Sequence, residues 1–562
     1  MDNQRLFTWA LFGLLLMMTW QAWQADYGPQ PPNESPAVVA ADPAAAPLPG
    51  DSLPALDDVP AAQTADTSVG VTPDLELPVD TSAYITVTTD VLEVQLDPQG
   101  GDIVSARLLR YPVSKDDADT VIRLLSPERA ELAVFRTGIT TRDKDNEPNH
   151  RARFASAQTR YTLTDGRDAI AVPLTWQGTD GVTVTKTYTF RRGGYAVDLE
   201  FTVDNQSSEE WVGAPYARIV HHSEAPERSM FDVESYSFKG PVVWDGERYK
   251  KYSLKDLADG SVQFEEVTGG WLAAIEHHFL SAIVPPADAP TRLQAGLSGG
   301  AFVAGYVGQA ASVAAGSQTM LPLTLFVGPK LQDQLKEVSP RLPLTVDYGF
   351  LTLLAEPLFW LLDKVHDFVG NWGWSIIIVT LLIKLAFYKL TEQSGRSMAK
   401  MRNLQPRLKS IQERYKDDRQ KLSQAMMDLY KREKVNPAAG CLPILIQMPF
   451  FIAFYWVLLE SVEMRQAPFM LWIQDLSSRD PFFILPILMG GAMLMQQQLN
   501  PAPTDPVQAK VMKVLPVIFT VFFAFFPAGL VLYWFTNTLL GVAQQWQVNR
   551  IVAAETKHDR RD

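Results

Sequence analysis

Cysteine is almost absent from this chain of 562 residues, and Cys441 is the single one it contains. One cysteine excludes any intramolecular disulfide bond and the usual zinc-finger patterns. Because free cysteines are usually buried and inert, we interpret Cys441 as a small apolar side chain near the start of a helix. The sequence therefore offers no disulfide framework and no cysteine-based metal site.

The common enzyme motifs are missing as well. The sequence contains no Walker loop, no H-E-x-x-H and no G-x-S-x-G. A sugar or metal site could be imagined from one group of side chains, His221, His222, Glu276, His277 and His278. Surface or core positions are the more common roles for such histidines. We therefore expect no enzymatic activity, no metal and no cofactor.

A net positive charge is also lacking, since the formal net charge is −13. Residues 26–343 carry 26 basic and 44 acidic side chains, whereas residues 344–562 carry 23 and 18. The acidic part should repel nucleic acid and anionic lipid, so we expect no DNA partner. The basic excess lies almost wholly in residues 391–437, which hold twelve Lys or Arg against six Asp or Glu.

What the sequence does have is a membrane-length apolar run at residues 371–390, with Lys384 inside it. A basic segment directly after a span marks the cytoplasmic side of the membrane. A cation within a span costs about 2.5–3.5 kcal/mol on insertion scales, and such residues are commonly functional. The run therefore indicates an integral membrane protein in which Lys384 is a candidate functional residue.

Two segments at the beginning of the chain have distinct compositions. Residues 1–25 contain an apolar stretch from Arg5 to Trp20, which fits either a signal peptide or an uncleaved anchor. We favour a transmembrane anchor. Residues 26–80 are rich in Pro, Ala, Asp and Thr and show no apolar periodicity, which predicts a disordered acidic tether outside the cytoplasm.

Residues 81–340 have the texture of β structure. Apolar and polar residues alternate in 83–96, 182–190 and 195–203, as in half-buried antiparallel strands. The segment Arg191–Gly194 has the composition of a hairpin turn between two of them. Many short strands with Gly, Asp and Pro breaks predict a large β-sandwich, which the predicted topology places outside the cytoplasm.

The period changes to that of a helix within residues 341–369. One helical face carries Leu351, Leu354, Leu358, Leu361, Leu362, Val365 and Phe368. Asp363, Lys364 and Asp367 lie opposite, so we predict an amphipathic helix in the outer membrane interface.

Further apolar runs follow the basic segment, at 438–460, 481–496, 511–526 and 528–546. With the anchor and residues 371–390 they make six predicted spans, five of which form a core at 370–550. Both termini are then cytoplasmic, and 551–562 is a short cytoplasmic tail. Two of the late runs are short, so we expect local thinning of the bilayer. The predicted fold class is a six-span helical membrane protein with a large periplasmic β-sandwich domain.

The basic segment 391–437 has a helical pattern of its own. Its apolar positions include Met398, Met401, Leu404 and Leu408, and the pattern resumes after Asp417 and Asp418. We predict two helices packed as a cytoplasmic hairpin that turns near Asp417, with a kink at Pro406. A solvated linker that only fixes the topology is the alternative.

Polar side chains recur within the predicted spans. They are Thr380, Lys384, Gln447, Thr536, Asn537, Gln544 and Gln545. Buried together, they could form a wetted cleft with Lys384 as its fixed positive charge. Alternatively, Lys384 reaches the cytoplasmic interface with its long side chain, and the other residues join helices to one another.

Several motifs now make the chain recognisable. They are N-P-A-A-G-C-L-P-I-L-I-Q-M-P-F-F (436–451), S-M-A-K-M-R-N-L-Q-P (397–406), S-V-E-M-R-Q-A-P-F (461–469), D-P-F-F-I-L-P-I-L-M-G (480–490) and P-V-I-F-T-V-F-F-A-F-F-P-A-G-L-V-L-Y-W (516–534). In this order they closely resemble the bacterial membrane protein insertases of the Oxa/Alb family. The match is dense over residues 350–550, and the tether with a β domain resembles the Gram-negative members.

The resemblance implies a hydrophilic groove that is open to the cytoplasm and to lipid. The residues it places in or beside this groove are Lys384, Gln447, Met448, Phe451 and Trp534, and we add Thr380, Tyr533 and Asn537 as candidate groove residues. Many relatives have Arg where this chain has Lys384, and often Pro where it has Lys389. The resemblance also implies a flexible cytoplasmic hairpin and a β-super-sandwich related to sugar-mutarotase folds.

The implied function is insertion and folding of nascent membrane proteins. The implied partners are nascent membrane proteins, the Sec translocon (SecYEG and SecDF), ribosome–nascent chain complexes and membrane lipid. The tail is shorter and less basic than in many relatives, which argues against strong ribosome binding through it. Two other classes stay open from the residues alone: a transporter or channel with Lys384 in an anion path, and a membrane-anchored periplasmic carbohydrate enzyme.

Overall fold

The computed structural model describes residues 84–115, 117–143, 146–222, 237–298, 300–415, 418–433, 435, 442–500 and 506–558. The predicted anchor, the tether, Asp417, Cys441 and the last four residues of the tail lie outside the described residues. The chain divides after Asp347 into a sheet unit and a helical unit, and Glu460–Glu463 is grouped with the sheet unit.

The sheet unit contains strands of 3 to 13 residues in its described part. They are β1 Ile85–Thr88, β2 Leu92–Asp97, β3 Asp102–Ser114, β4 Asp117–Leu125, β5 Ala133–Thr141, β6 Arg160–Thr162, β7 Ala169–Gln177, β8 Val182–Arg191, β9 Ala196–Asn205, β10 Trp211–His222, β11 Gly240–Trp244, β12 Tyr249–Lys251, β13 Val262–Val267, β14 Trp271–Ile275, β15 Phe279–Val284, β16 Thr291–Ser298, β17 Ala301–Val307, β18 Ala311–Val313 and β19 Ser317–Pro329. Two short helices accompany them, α1 Leu254–Ala258 and α2 Gln332–Val338.

The strands form three sheets. The first has the order β4-β3-β2-β1-β6, and the second has the order β13-β16-β17-β10-β18, with β5 also paired to β10. The third runs β12-β11-β14-β15-β19-β9-β8-β7. Most neighbours are antiparallel, as in β8 against β9, whereas β1 and β6 are parallel. The predicted β-sandwich is confirmed.

The alternation seen in the sequence corresponds to burial. Every second residue from Val182 to Phe190 is buried, and β9 shows the same alternation. The hairpin predicted around Arg191–Gly194 is confirmed, since Phe190 pairs with Val197 across it. The described part of the alternating segment 83–96, from residue 84 onward, contains two strands that pair with each other. The Thr89 hydroxyl makes the turn between them by accepting hydrogen bonds from the N–H groups of Val91 and Leu92.

The helical unit follows in the order α3 Thr352–Val369, α4 Trp372–Ala386, α5 Tyr388–Asn403, α6 Gln405–Arg414, α7 Arg419–Arg432, α8 Leu442–Glu460, α9 Ile484–Leu499, α10 Pro506–Phe523 and α11 Ala528–His558. In the described part of the chain no single helix is both long and apolar enough to cross a bilayer. One bent pair, α4 with α5, passes that criterion by length and composition, and Gln447–Glu460 is a shorter apolar helix.

Helix α3 is amphipathic, but its buried face differs from the predicted one at one end. Leu358 and Leu362 are buried as expected, whereas Phe368 is 93% exposed. Phe368 lies in the last turn, two residues before Gly370, whose left-handed backbone (φ 69°) ends the helix. Asn371 then accepts a hydrogen bond from the N–H of Trp374 and caps α4.

The apolar run 371–390 is not one straight helix. Helix α4 ends at Ala386, and α5 leaves it at an angle of 70° from Tyr388 onward. Lys384 consequently lies in the last turn of α4. Hydropathy alone could not place this bend, because apolar side chains occur on both sides of it.

Helices α6 and α7 are the arms of the predicted hairpin. Pro406 lies in the first turn of α6, where a proline is tolerated, and the helix axis breaks just before it. Asp418 caps α7 by accepting a hydrogen bond from the N–H of Lys421. Leu404 and Leu408 are buried, and Met398 and Met401 of α5 are half-buried.

Candidate functional site

Helix α11 is the element around which the candidate site is built. It packs against α4, α5 and α9, and its aromatic residues contact α8 and α10. Apolar residues such as Leu530 and Val531 are buried along it, while polar residues such as Asn537 are only half-buried. The predicted groove residues on α11 therefore lie among five other helices of the same unit.

Lys384 reaches α11 at Gly541. A side chain built on Gly541 would place its Cβ 3.7 Å from the Lys384 Nζ and 3.2 Å from the Gln496 Nε2 of α9. Because α4 ends two residues after Lys384, the negative end of its helix dipole lies beside the ammonium and favours the charge. The cation is half-buried, with a glutamine amide and a bare stretch of backbone nearby.

A row of residues on α11 connects this point to an aromatic cluster. Tyr533, Asn537 and Gly541 are spaced four apart and share one helix face. Eight residues of helix rise by roughly 12 Å. Tyr533 is buried and Asn537 is half-buried, so the row runs from an apolar to a polar environment toward Lys384.

The aromatic cluster brings together three of the predicted residues. Phe451 of α8 meets Trp534 edge to face, with ring centroids 4.5 Å apart, and stacks on Tyr533 at 5.9 Å. Trp534 also contacts Phe519 and Phe523 of α10, at 6.1 and 5.2 Å. Trp534 therefore joins α8 to α10 through aromatic contacts on both sides.

The remaining predicted groove residues take different positions. Met448 is 42% exposed, and Gln447 beside it is half-buried. Thr380 is buried, and its hydroxyl donates to the Ile376 carbonyl at 2.6 Å within its own helix. Thr380 lies one turn before Lys384 without presenting a free polar group.

Gln544 and Gln545 join helices instead of lining an opening. The Gln544 amide donates to the Thr391 hydroxyl at 2.7 Å, and Gln545 donates to the Gly395 carbonyl at 3.4 Å. Both bonds hold α5 against α11, next to a cluster of Ala399, Val548 and Val552.

Sequence reasoning missed Gln496 and Gly541. A signal was present for Gln496, because it opens the run Gln496-Gln497-Gln498 at the end of an otherwise apolar helix. Gly541 gave no signal, since a single glycine in an apolar helix is common in membrane proteins.

The loop at residues 464–483 holds together the N-terminal ends of two helices. The Asn371 amide before α4 donates to the carbonyls of Pro468 and Phe469. At the start of α11, the Ala528 and Gly529 N–H groups donate to the carbonyls of Ser478 and Leu476, at 2.7 and 2.8 Å. The two helices are thus fixed to one loop at the end of α4 that is remote from Lys384.

The sheet unit contains a buried ion pair of its own. Asp102 and Lys186 are fully buried, and the Lys186 Nζ lies 3.7 Å from the Asp102 carboxylate. Lys186 donates to the carbonyl of Thr137 at 2.7 Å, and Asp102 accepts from the Thr137 N–H at 2.8 Å. Burial lowers the pKa of Lys186 to about 8, although the Asp102 carboxylate opposes the shift.

The histidines of the sheet unit do not form a metal site in the described part of the chain. His221 lies 3.5 Å from Glu276, and His277 stacks on His278 with centroids 3.8 Å apart. Within the described residues no group of three His, Cys, Asp or Glu side chains has the geometry to bind a metal.

Comparison with known proteins gives matches along the chain. Residues 364–556 match the family model described as 60Kd inner membrane protein, and residues 84–361 match the YidC periplasmic domain. The membrane protein insertase YidC of Thioalkalivibrio sulfidiphilus is 48% identical over 98% of this chain and 98% of its own length. The corresponding protein of Methylococcus capsulatus is 46% identical over 99% of both chains. A solved structure of an active YidC insertase covers 83% of this chain and 92% of its own, with 19% identity and a TM-score of 0.37.

The helical unit and the sheet-rich sandwich together define an inner-membrane protein with a periplasmic domain. Relatives of more than 40% identity over nearly the whole chain carry one name. The chain belongs to the YidC family of membrane protein insertases, and its function is the insertion of membrane proteins.

Proposed function

We propose that insertion proceeds through a polar groove that opens to the cytoplasm, with Lys384 as its fixed positive charge. The observation that carries this proposal is the meeting of Lys384 and Gln496 at Gly541, on the helix face that continues to Asn537 and Tyr533. An acidic extracytoplasmic segment of a substrate would be attracted to the ammonium. A lysine gives this attraction as a point charge, without the bidentate geometry of arginine.

The substrate's apolar helix would leave the groove between α8 and α10. This route is supported by the aromatic chain from Phe451 through Trp534 to Phe519 and Phe523, which offers apolar surface without charged side chains. Burial of about twenty apolar residues in lipid supplies the driving force. The mechanism is therefore partitioning, without a covalent step, a cofactor or a nucleotide.

The proposal includes an orientation in the membrane. Six spans place both termini in the cytoplasm and the sheet unit in the periplasm, in accordance with the basic segment after α4. The α6–α7 hairpin is then cytoplasmic, where it would meet ribosome–nascent chain complexes. The Sec translocon, including SecYEG and SecDF, is the partner proposed for larger substrates.

The test is depletion of this protein and rescue by variants at Lys384. The substrate is a small single-span protein with either an acidic or an uncharged translocated tail, and the readout is protease protection of that tail. We expect Lys384→Arg to restore insertion of the acidic form, and Lys384→Ala and Lys384→Glu to fail at equal expression. Lys389→Ala is the matched control, because Lys389 is an exposed basic residue five positions along. Rescue by all variants at Lys384 would show that this residue is only an interfacial anchor.

A further inference from the structure

Gln496 is the second polar side chain that ends beside Gly541, next to Lys384. Its side chain comes from α9, a helix that packs along α11 and that ends at Leu499. The residues before it on α9 are apolar, and Gln496 itself is half-buried, whereas Gln498 is exposed. A polar side chain turned into a helix bundle is costly in a membrane unless it has a partner there.

The partner that geometry provides is Lys384. The ends of both side chains lie within 4 Å of one point, the place where a Cβ on Gly541 would stand. Three helices therefore bring an ammonium, an amide and a bare glycine backbone to one position. A bulky residue at 541 would occupy the space that the two side chains share.

An amide is suited to hold a cation without cancelling it. An ammonium has only donors, so its favourable partner is the amide oxygen, which a half-turn of the Gln496 amide group brings toward Lys384. A carboxylate at this position would neutralise the charge.

We propose that Gln496 is a positioning residue for Lys384, directing its ammonium toward the groove by a direct or water-bridged hydrogen bond, and that Gly541 provides the room for this arrangement. This inference rests on the proposed role of Lys384 in the groove. Gln496 selects acidic substrates through the cation and makes no contact with the substrate's apolar helix.

The test uses the purified full-length protein in proteoliposomes and the same pair of substrates, with an acidic or an uncharged tail. We expect Gln496→Leu to lower insertion of the acidic form about five- to tenfold, as for the loss of a typical intramolecular hydrogen bond, and to leave the uncharged form within about twofold. Gln496→Glu should be as defective as Lys384→Ala for the acidic form, because it neutralises the cation.

Further variants probe the shared space and provide the control. Gly541→Leu should reproduce the defect of Gln496→Leu, since its side chain displaces both polar ends. Gly541→Ala should cause a smaller defect than Gly541→Leu, because its Cβ approaches only the flexible ends of Gln496 and Lys384. Gln498→Leu, on the exposed side of the same turn, is the matched control and should behave as the unaltered protein.

A double substitution separates positioning from a structural role. In a chain that already carries Lys384→Ala, Gln496→Leu should cause no further loss of acidic-tail insertion. Additive loss, or equal loss with both substrates, would overturn the inference. If Gln496→Leu inserts the acidic form normally while Lys384→Ala does not, this inference is overturned and the groove proposal stays intact. If Lys384→Ala itself inserts the acidic form normally, the groove proposal fails and this inference fails with it.

Discussion

Gly490 of α9 lies directly against the hydroxyl of Thr520 in α10, so closely that a Cβ at residue 490 could not be accommodated without movement. The Thr520 hydroxyl also donates to the Pro516 carbonyl at 2.8 Å, which fixes its orientation. The neighbouring Gly491 has open space where its side chain would stand. An alanine at residue 490 therefore tests close packing between the helices, whereas an alanine at residue 491 tests only helix propensity.

We expect Gly490→Ala to destabilise the helical unit by about 1–3 kcal/mol, the usual range for overpacking. Gly491→Ala should be neutral or stabilising by up to about 1 kcal/mol, because alanine favours the helix. The measurement is thermal unfolding of the purified protein in lipid nanodiscs. Thr520→Ala should rescue part of the loss caused by Gly490→Ala, and equal effects of the two alanines would refute the close contact.

The buried pair of Asp102 and Lys186 should be sensitive to loss of one partner. Asp102→Ala leaves an ammonium without its counter-charge in a site closed to water, which costs about 3–5 kcal/mol. Glu93→Ala is the control, since Glu93 pairs with Arg107 at 2.8 Å near the surface, where such pairs contribute about 0–1 kcal/mol. The measurement is urea unfolding followed by hydrogen exchange in strands β5 and β8.

Removing both charges of the Asp102–Lys186 pair together tests whether the unpaired buried charge causes the loss of stability. The double variant Asp102→Leu with Lys186→Met should recover much of the stability lost in Asp102→Ala, because no charge stays buried. No recovery would mean that the hydrogen bonds of Thr137 and Gly100, and not the ion pair, dominate at this site.

The stability of the sheet unit should depend on pH through His150. Burial lowers the pKa of this imidazole to about 4, and the positive charges of Arg218, Arg136 and Lys186 act in the same direction, against Asp102. The unfolded chain takes up this proton near pH 6.5, so acidification favours unfolding. The contribution is present above pH 6.5 and is lost progressively as the pH falls to about 4, by about 3 kcal/mol in total.

The measurement for His150 is hydrogen exchange in β5 and β10 between pH 4 and 7, in the unaltered protein and in His150→Gln. The difference in stability between the two proteins should shrink as the pH falls, because glutamine does not titrate. A difference that stays constant across this range would show that His150 has an ordinary pKa. Comparison at each pH removes the contribution of the carboxylates that titrate in the same window.

Trp534 should matter for insertion because it connects α8 and α10. We expect Trp534→Ala to lower insertion of both the acidic and the uncharged substrate about fivefold, because it removes the aromatic contacts with Phe451 and Phe523. Trp534→Phe should keep most of the activity. Trp546→Ala is the control on the same helix, since Trp546 is 52% exposed. A normal Trp534→Ala would argue against the aromatic route.

The sequence was most informative where one local pattern decides the structure. Strands β8 and β9 follow from a period of two, and even the buried Lys186 lies in the inward row of that alternation. The five apolar runs after residue 370 each contain a helix, although the bend at Phe387 ends the first of them early. The spacing of apolar residues indicates which side chains are buried, but it contains no information about the angle between consecutive helices.

The candidate site was predictable in its chemistry and not in its contacts. Lys384 is conspicuous because charge is rare in apolar runs, and Phe451 and Trp534 were implied by the resemblance. The meeting of Lys384 with Gln496 depends on how α4, α9 and α11 pack, which is a tertiary property. Gly541 matters because its missing side chain leaves space for the ends of Lys384 and Gln496. A single sequence does not show that a glycine has this role.

The loop at 464–483 has a mechanical consequence for the helices it holds. Because its backbone carbonyls bind the starts of α4 and α11, those ends cannot separate without breaking hydrogen bonds. Any widening between these two helices must then be a pivot about the loop, with an amplitude that grows toward Lys384 and Gly541. In the proposed groove, a chain that enters beside Lys384 would therefore find least room near the loop, where hydrogen bonds hold the two helices together.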